Sequence, residues 1–197
     1  MHGLKITLTA ALAVFSMPSL AQVSAPKVIE DITALTTMNT NIINILSPLG
    51  PSSSPNSVTS VGASVVDRIG TLVKTMADDT NAFLSSTPLG GTRPNILKAF
   101  EDFASVQKDM VSSLISKHMI FVQFGVGRPI LGALLRLKES VDTFAKSLAV
   151  LAPAIQDDVH AGGESIITII DSAITTYEQL CIPSPLYPTI QPVCVSV

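Results

Sequence analysis

Apolar residues recur along this chain at steps of three and four, the interval at which one face of an α-helix returns to the same side. Val28, Ile32, Leu35, Ile42, Leu46 and Leu49 make the first such stripe, with Asn39 its one polar member, and Pro48, Gly50 and Pro51 stop it. A second stripe runs through Val58, Val61, Val65, Ile69, Leu72, Met76 and Phe83 and ends at Thr87-Pro88-Leu89-Gly90-Gly91. Between the two, Pro51 to Ser60 reads as a flexible Ser/Pro connection whose hydroxyls suit O-linked sugar. The third stripe opens at Pro94, a residue suited to a first helical position, and continues through Ile96, Phe100, Phe103, Met110, Leu114, Phe121 and Phe124, with Gln107 and Lys117 interrupting it. Gly125 and Gly127 break the chain there, and Arg128-Pro129 restarts it.

The fourth stripe is the most regular: Ile130, Leu134, Leu137, Val141, Phe144, Leu148, Leu151 and Ile155 alternate steps of four and three. Pro153 kinks or ends that helix, and the pattern resumes as Val159, Gly163, Ile166, Ile170, Ala173, Tyr177 and Leu180. No stretch shows a convincing strand alternation. The pattern predicts an all-α fold, an antiparallel bundle of four to five amphipathic helices, four if the last two stripes form one kinked helix.

Composition sharpens this picture. The 197 residues are 47% hydrophobic but only 14% charged, against about a quarter charged in an ordinary soluble domain. Such a chain is not a disordered polyelectrolyte. With 12 Lys+Arg against 15 Asp+Glu and no run of like charge, it lacks the electrostatic footprint of a nucleic-acid binder. Residues 1–21 read as a secretory signal: Lys5, the apolar stretch from Ile6 to Phe15, and small Ser19 and Ala21 at a cleavage site. Beyond it no apolar run approaches the ~20 residues that span a bilayer, so no transmembrane segment is expected. The expected organisation is a signal peptide (1–21), a helical domain (22–180) and a proline-rich tail (181–197). Cys181 and Cys194 flank Pro183, Pro185, Pro188 and Pro192 in that tail. In the oxidising compartment that a signal implies, they are expected to pair and close the tail into a loop.

A search for catalytic chemistry finds little. No G-x-S-x-G, H-E-x-x-H or phosphate loop is present, so neither an enzyme nor a cofactor is expected. Asp157-Asp158-Val159-His160 with Glu164 is the best candidate cation cluster, but acidic residues just after a proline equally suit the positive end of a restarting helix. His118 sits at the edge of an apolar stripe and reads as a structural histidine.

The apolar surplus remains to be accounted for. Helix bundles hold ligands between their helices, and this surplus is sufficient to line a site for a fatty acid or another hydrophobic small molecule. The expected lining is Ile32, Leu35, Ile42, Leu72, Met76, Phe100, Phe103, Met110, Leu134, Val141, Phe144, Ile166 and Ile170. Asn39, Gln107 and nearby Ser/Thr positions, polar on otherwise apolar seams, are either candidates for a carboxyl or hydroxyl head group or helix-edge polar groups that meet water. The alternative use of the same surplus is external, an exposed apolar face that adsorbs to a hydrophobic surface.

With its leader, Val28-Ile29-Glu30-Asp31-Ile32 opening the first helix, the Ser/Pro connection, Arg128-Pro129-Ile130-Leu131-Gly132-Ala133-Leu134 and the late Ala173-Ile174-Thr175-Thr176-Tyr177, the chain resembles the fungal hydrophobic surface-binding protein family, which includes cell-wall galactomannoproteins. The likeness spans about residues 25 to 180. It implies a secreted or wall-bound helical bundle without catalytic residues. Some members bind fatty acids in a central cavity; others adsorb to hydrophobic surfaces and recruit secreted hydrolases. The Cys181–Cys194 tail, and the lack of a long Ser/Thr stalk, depart from the family pattern.

Overall fold

A computed structural model describes residues 22–91 and 93–196; the expected signal segment lies outside the described residues. Among the described residues six helices follow one another: α1 (Ala25–Leu46), α2 (Pro55–Leu84), α3 (Pro94–Ser116), the short α4 (His118–Gln123), α5 (Gly127–Leu151) and α6 (Gln156–Glu178). Two short strands, β1 (Leu180–Ile182) and β2 (Val193–Val195), close the order as an antiparallel ribbon.

Local chemistry sets the helix starts. α1, α2 and α3 each carry proline in the first two positions, where its missing N–H costs no intrahelical bond. Ser54 also caps α2, its hydroxyl accepting from the Ser57 N–H at 3.2 Å. Asp157 and Asp158 occupy the exposed first turn of α6, at the positive end of its dipole. The outer faces explain how a chain so poor in charge is covered. Thr33, Thr37, Thr40, Thr75, Thr143, Thr168 and Thr176 donate their hydroxyls to the carbonyl four residues earlier, presenting a polar but uncharged surface.

The five long helices form a closed ring in the order α1, α2, α5, α6, α3, each packing on the next and α3 returning to α1. Residue pairs fix the directions. Asn39 meets Gln107 and Leu49 meets Lys117 at the same offset, so α1 and α3 are parallel. Phe83 against Phe144 and Leu89 against Leu151 make α2 and α5 parallel, as Phe100 beside Gly162 and Tyr177 bonded to Leu114 do for α3 and α6. Only α1/α2 and α5/α6 are antiparallel neighbours. Long crossings from α2 to α3 and from α3 to α5 create the parallel pairs. The short α4 closes the end where α1, α3 and α6 finish and α2 and α5 begin, packing on α2, α3 and α5.

All eight members of the fourth stripe are buried. Pro153 ends α5 in a 3-10 turn, Pro153–Ile155, and α6 runs back as a separate helix, which settles the count at five long helices. Three details differ from the periodic reading. The third stripe breaks at Lys117, so Phe121 belongs to α4, because a one-residue turn does not disturb a period of three and four. Residues from Pro55 onward, expected in the connection, begin α2, since the Ser54 cap and Pro55 start the helix early. Leu180 leaves the core face and is exposed as the first residue of β1. Among the described residues, no helix is long and apolar enough to cross a membrane.

Candidate ligand site

The thirteen expected lining residues come from all five ring helices, point into the ring and are no more than 1% exposed. Below Asn39 the interior is aromatic: Phe83, Phe144, Phe103 and Phe100 form a chain with ring centroids 5.7, 5.9 and 6.0 Å apart. Above it lie Ile42, Met110 and Leu134, with Phe121 of α4 buried at that end. The ring therefore brings the thirteen together as one core. The clefts, of about 170–490 Å³, open on the outer surface, and none of the thirteen lines any of these.

One polar feature interrupts this interior. Asn39 of α1 and Gln107 of α3 are both fully buried, and the Asn39 Nδ2 donates to Gln107 Oε1 at 2.7 Å. Asn39 Oδ1 and Gln107 Nε2 have no hydrogen-bond partner in the protein. Exchanging nitrogen and oxygen in both amides leaves the same remainder, one acceptor and one donor. Each such orphan costs about 1–3 kcal/mol when buried, so the pair is a poor way to hold two helices together unless something else meets it. Asn39 stands fourteen residues into α1 from Ala25, about 21 Å along the axis at 1.5 Å per residue, and that length is walled by the aromatic chain and its aliphatic neighbours. The other buried polar side chains among the described residues are Thr80, His118, Ser147 and Ser184, with no Lys or Arg among them; Arg93, partly buried just before α3 and fourteen residues before Gln107, has a buried Nε without a partner.

The capped end holds what sequence spacing concealed. Cys181 and Cys194 are joined and stand directly opposite across the ribbon. The Cys181 sulfur lies 4.0 Å from His118 Nε2, and the Cys194 sulfur 3.7 Å from Met119 Sδ. His118 and both cysteines would form a compact ligand set for a metal, but as a disulfide the sulfurs offer no thiolate. His118 stacks edge-on against Tyr177 at 4.8 Å, and burial lowers its pKa. Tyr177 donates to the Leu114 carbonyl at 2.7 Å, and burial pushes its pKa up. These are packing roles. Asp157, Asp158, His160 and Glu164 are all exposed on α6, and His160 is at the opposite end of the ring from His118. The ribbon itself was signalled by two matching triplets, Leu180-Cys181-Ile182 and Val193-Cys194-Val195, too short to register as strand alternation.

A carboxylate is perturbed at the far end. Asp79 is half-buried and its Oδ2 has no partner. Desolvation, reinforced by Asp31 and Asp78 and opposed by Lys27, raises its pKa to about 6.

No family model matches this chain, and no curated protein matches it. Solved structures do. One is Afmp4p in complex with palmitic acid, with 16% identity, a TM-score of 0.68 and coverage of 78% of this chain and 99% of that one. The ligand-binding domain 2 of the Penicillium marneffei MP1 protein, complexed with multiple arachidonic acids, aligns at 19% identity and a TM-score of 0.62, over 77% of this chain and 92% of that one. A further structure of that domain with arachidonic acids gives 19%, 0.63, 79% and 93%. The chain thus shares the helical fold of these fungal lipid-binding proteins.

Proposed function

We propose that this chain is a non-enzymatic, exported binding protein for a fatty acid or similar single-chain amphiphile, held inside the helix ring with its head group at Asn39 and Gln107. The observation that carries the reading is the remainder of that buried pair. A protonated carboxyl group donates one hydrogen bond and accepts one, matching Asn39 Oδ1 and Gln107 Nε2. The acyl chain lies along the ring among the thirteen core side chains. These side chains pack the interior closed, so binding requires them to move, and Met76 and Met110 are the most adaptable of them. The fatty acids held by Afmp4p and the MP1 domain support the same ligand class. Export is supported by the leader-like residues 1–21 and by the disulfide, which suits an oxidising compartment.

The test is native mass spectrometry and palmitate titration of protein purified without detergent. Saturable uptake is expected. It should weaken by up to tenfold per pH unit as pH rises above the acid's own pKa, because the site offers no cation to an ionised carboxylate and burial disfavours charge. No bound lipid and no saturable uptake would reject the reading.

A further inference from the structure

Six of the large apolar side chains exposed by this protein belong to the C-terminal ribbon and its loop. Leu180, Ile182, Leu186, Ile190, Val193 and Val195 are 50–69% exposed. Their arrangement follows from the register. Cys181 pairs with Cys194 and faces His118 and Met119, so the flanking pairs Leu180/Val195 and Ile182/Val193 all point the opposite way, outward, on one face. The disulfide ties the two strands together. Gln123 fastens the loop to α4, accepting from the Ser184 N–H at 2.8 Å and donating to its carbonyl at 2.9 Å, and Phe124 stacks edge-on against Tyr187. The aliphatic face is therefore held in place, not trailing.

Its surroundings select among possible partners. The segments that build this end of the ring, residues 47–66, 117–129 and 179–196, contain no Asp or Glu, although the chain has 15. Lys117, His118 and Arg128 are their only basic side chains, and Arg128 borders the same cleft as Leu180 and Cys181. Glu178, at the end of α6, and Asp67, which borders a cleft with Phe124 and Gly125, are carboxylates of the ring wall at the margin of this end. An end that is aliphatic, with its carboxylates confined to the ring wall and the exposed Arg128 beside the ribbon, in a chain of net charge −3, matches the apolar interior and anionic head groups of a lipid surface. A protein interface of this kind would carry aromatic anchors and a hydrogen-bonding rim, and the ribbon's outer face offers only Leu, Ile and Val.

We infer that the ribbon docks this protein on a lipid surface, with Leu180, Ile182, Val193 and Val195 entering the head-group boundary and the exposed Arg128 facing the lipid phosphates. This stands apart from the interior site and needs no ligand there.

Vesicle co-sedimentation of the signal-free chain tests it, with phosphatidylcholine alone and with phosphatidylglycerol added. Binding to both is expected, tighter with the anionic lipid and weakened by salt. The double variant Ile182→Ser and Val193→Ser should bind about 30-fold more weakly, two half-exposed aliphatic side chains being lost from the contact. Leu135→Ser, an exposed leucine on α5, should bind as the parent does. The inference is overturned if the parent does not sediment, if the double variant sediments equally, or if the ribbon instead mediates a dimer that the variant dissociates and that ignores vesicles. Palmitate uptake by the double variant separates the two readings. Uptake without vesicle binding by the parent defeats only the docking inference, and vesicle binding without uptake defeats only the interior site.

Discussion

Replacing both buried amides by apolar side chains of similar shape, Asn39→Leu with Gln107→Met, should make the protein more stable and a poorer binder at once. The structure supplies the magnitudes. One amide hydrogen bond of 2.7 Å is lost, worth about 1 kcal/mol net. Two buried orphans are removed, Asn39 Oδ1 and Gln107 Nε2, each costing about 1–3 kcal/mol. The net gain is about 2 kcal/mol, or about 4–8 °C in Tm for a domain of this size. Each single variant trades one orphan for another and loses the bond, so it should be about 1 kcal/mol less stable than the parent, and the double-mutant cycle should show strong coupling. Palmitate affinity of the double variant should fall by about 30- to 100-fold, the loss of two buried hydrogen bonds to the head group. Urea denaturation of the four proteins, with palmitate titration of each, gives both quantities. A double variant that is less stable than the parent, or that binds palmitate equally well, would show the pair to be structural.

Other consequences can be checked independently. Asp79 binds a proton more tightly in the folded chain than in the unfolded one, so stability should fall as pH rises from about 4 to about 6 and stay at the lower level above that. Asp79→Asn should therefore add about 1 kcal/mol at pH 7, after allowance for partial solvent screening, and nothing at pH 4, as read by thermal denaturation at the two values. A Cβ at Gly62 would stand 2.2 Å from Val126 Cγ1, so Gly62→Ala should cost about 1–3 kcal/mol, and Val126→Ala in the same chain should restore most of it. Cys181→Ser with Cys194→Ser should open the ribbon to limited proteolysis between residues 180 and 195 while helical circular dichroism is retained, because the ribbon is fastened chiefly to α4 and not to the ring core.

Much of the architecture was legible in the apolar period. Each of the five long helices buries most of the stripe read for it, because burial of one face is what that period encodes; Val61 and Phe124 are only partly covered and Leu180 is exposed. Asn39 and Gln107 were visible as interruptions of two separate stripes, but their meeting was not. It depends on α1 and α3 running parallel, a consequence of long crossings that no local pattern records. The same non-local placement hid His118 and Met119 beside the disulfide, although all four residues are conspicuous in the sequence. The turn at Lys117 escaped because α3 and α4 share a continuous apolar period on either side of it. The apolar surplus, read as a lining or an exposed face, divides between a closed interior and the ribbon.

The most direct measurement is an NMR titration with palmitate carrying ¹³C at its carboxyl carbon, following the side-chain amides of Asn39 and Gln107. Saturable binding, a single bound carboxyl environment that the Asn39→Leu, Gln107→Met variant does not reproduce, and shifted side-chain amide signals at Asn39 and Gln107 are expected. Palmitate that binds without disturbing either amide, or that does not bind, would contradict the proposed head-group site.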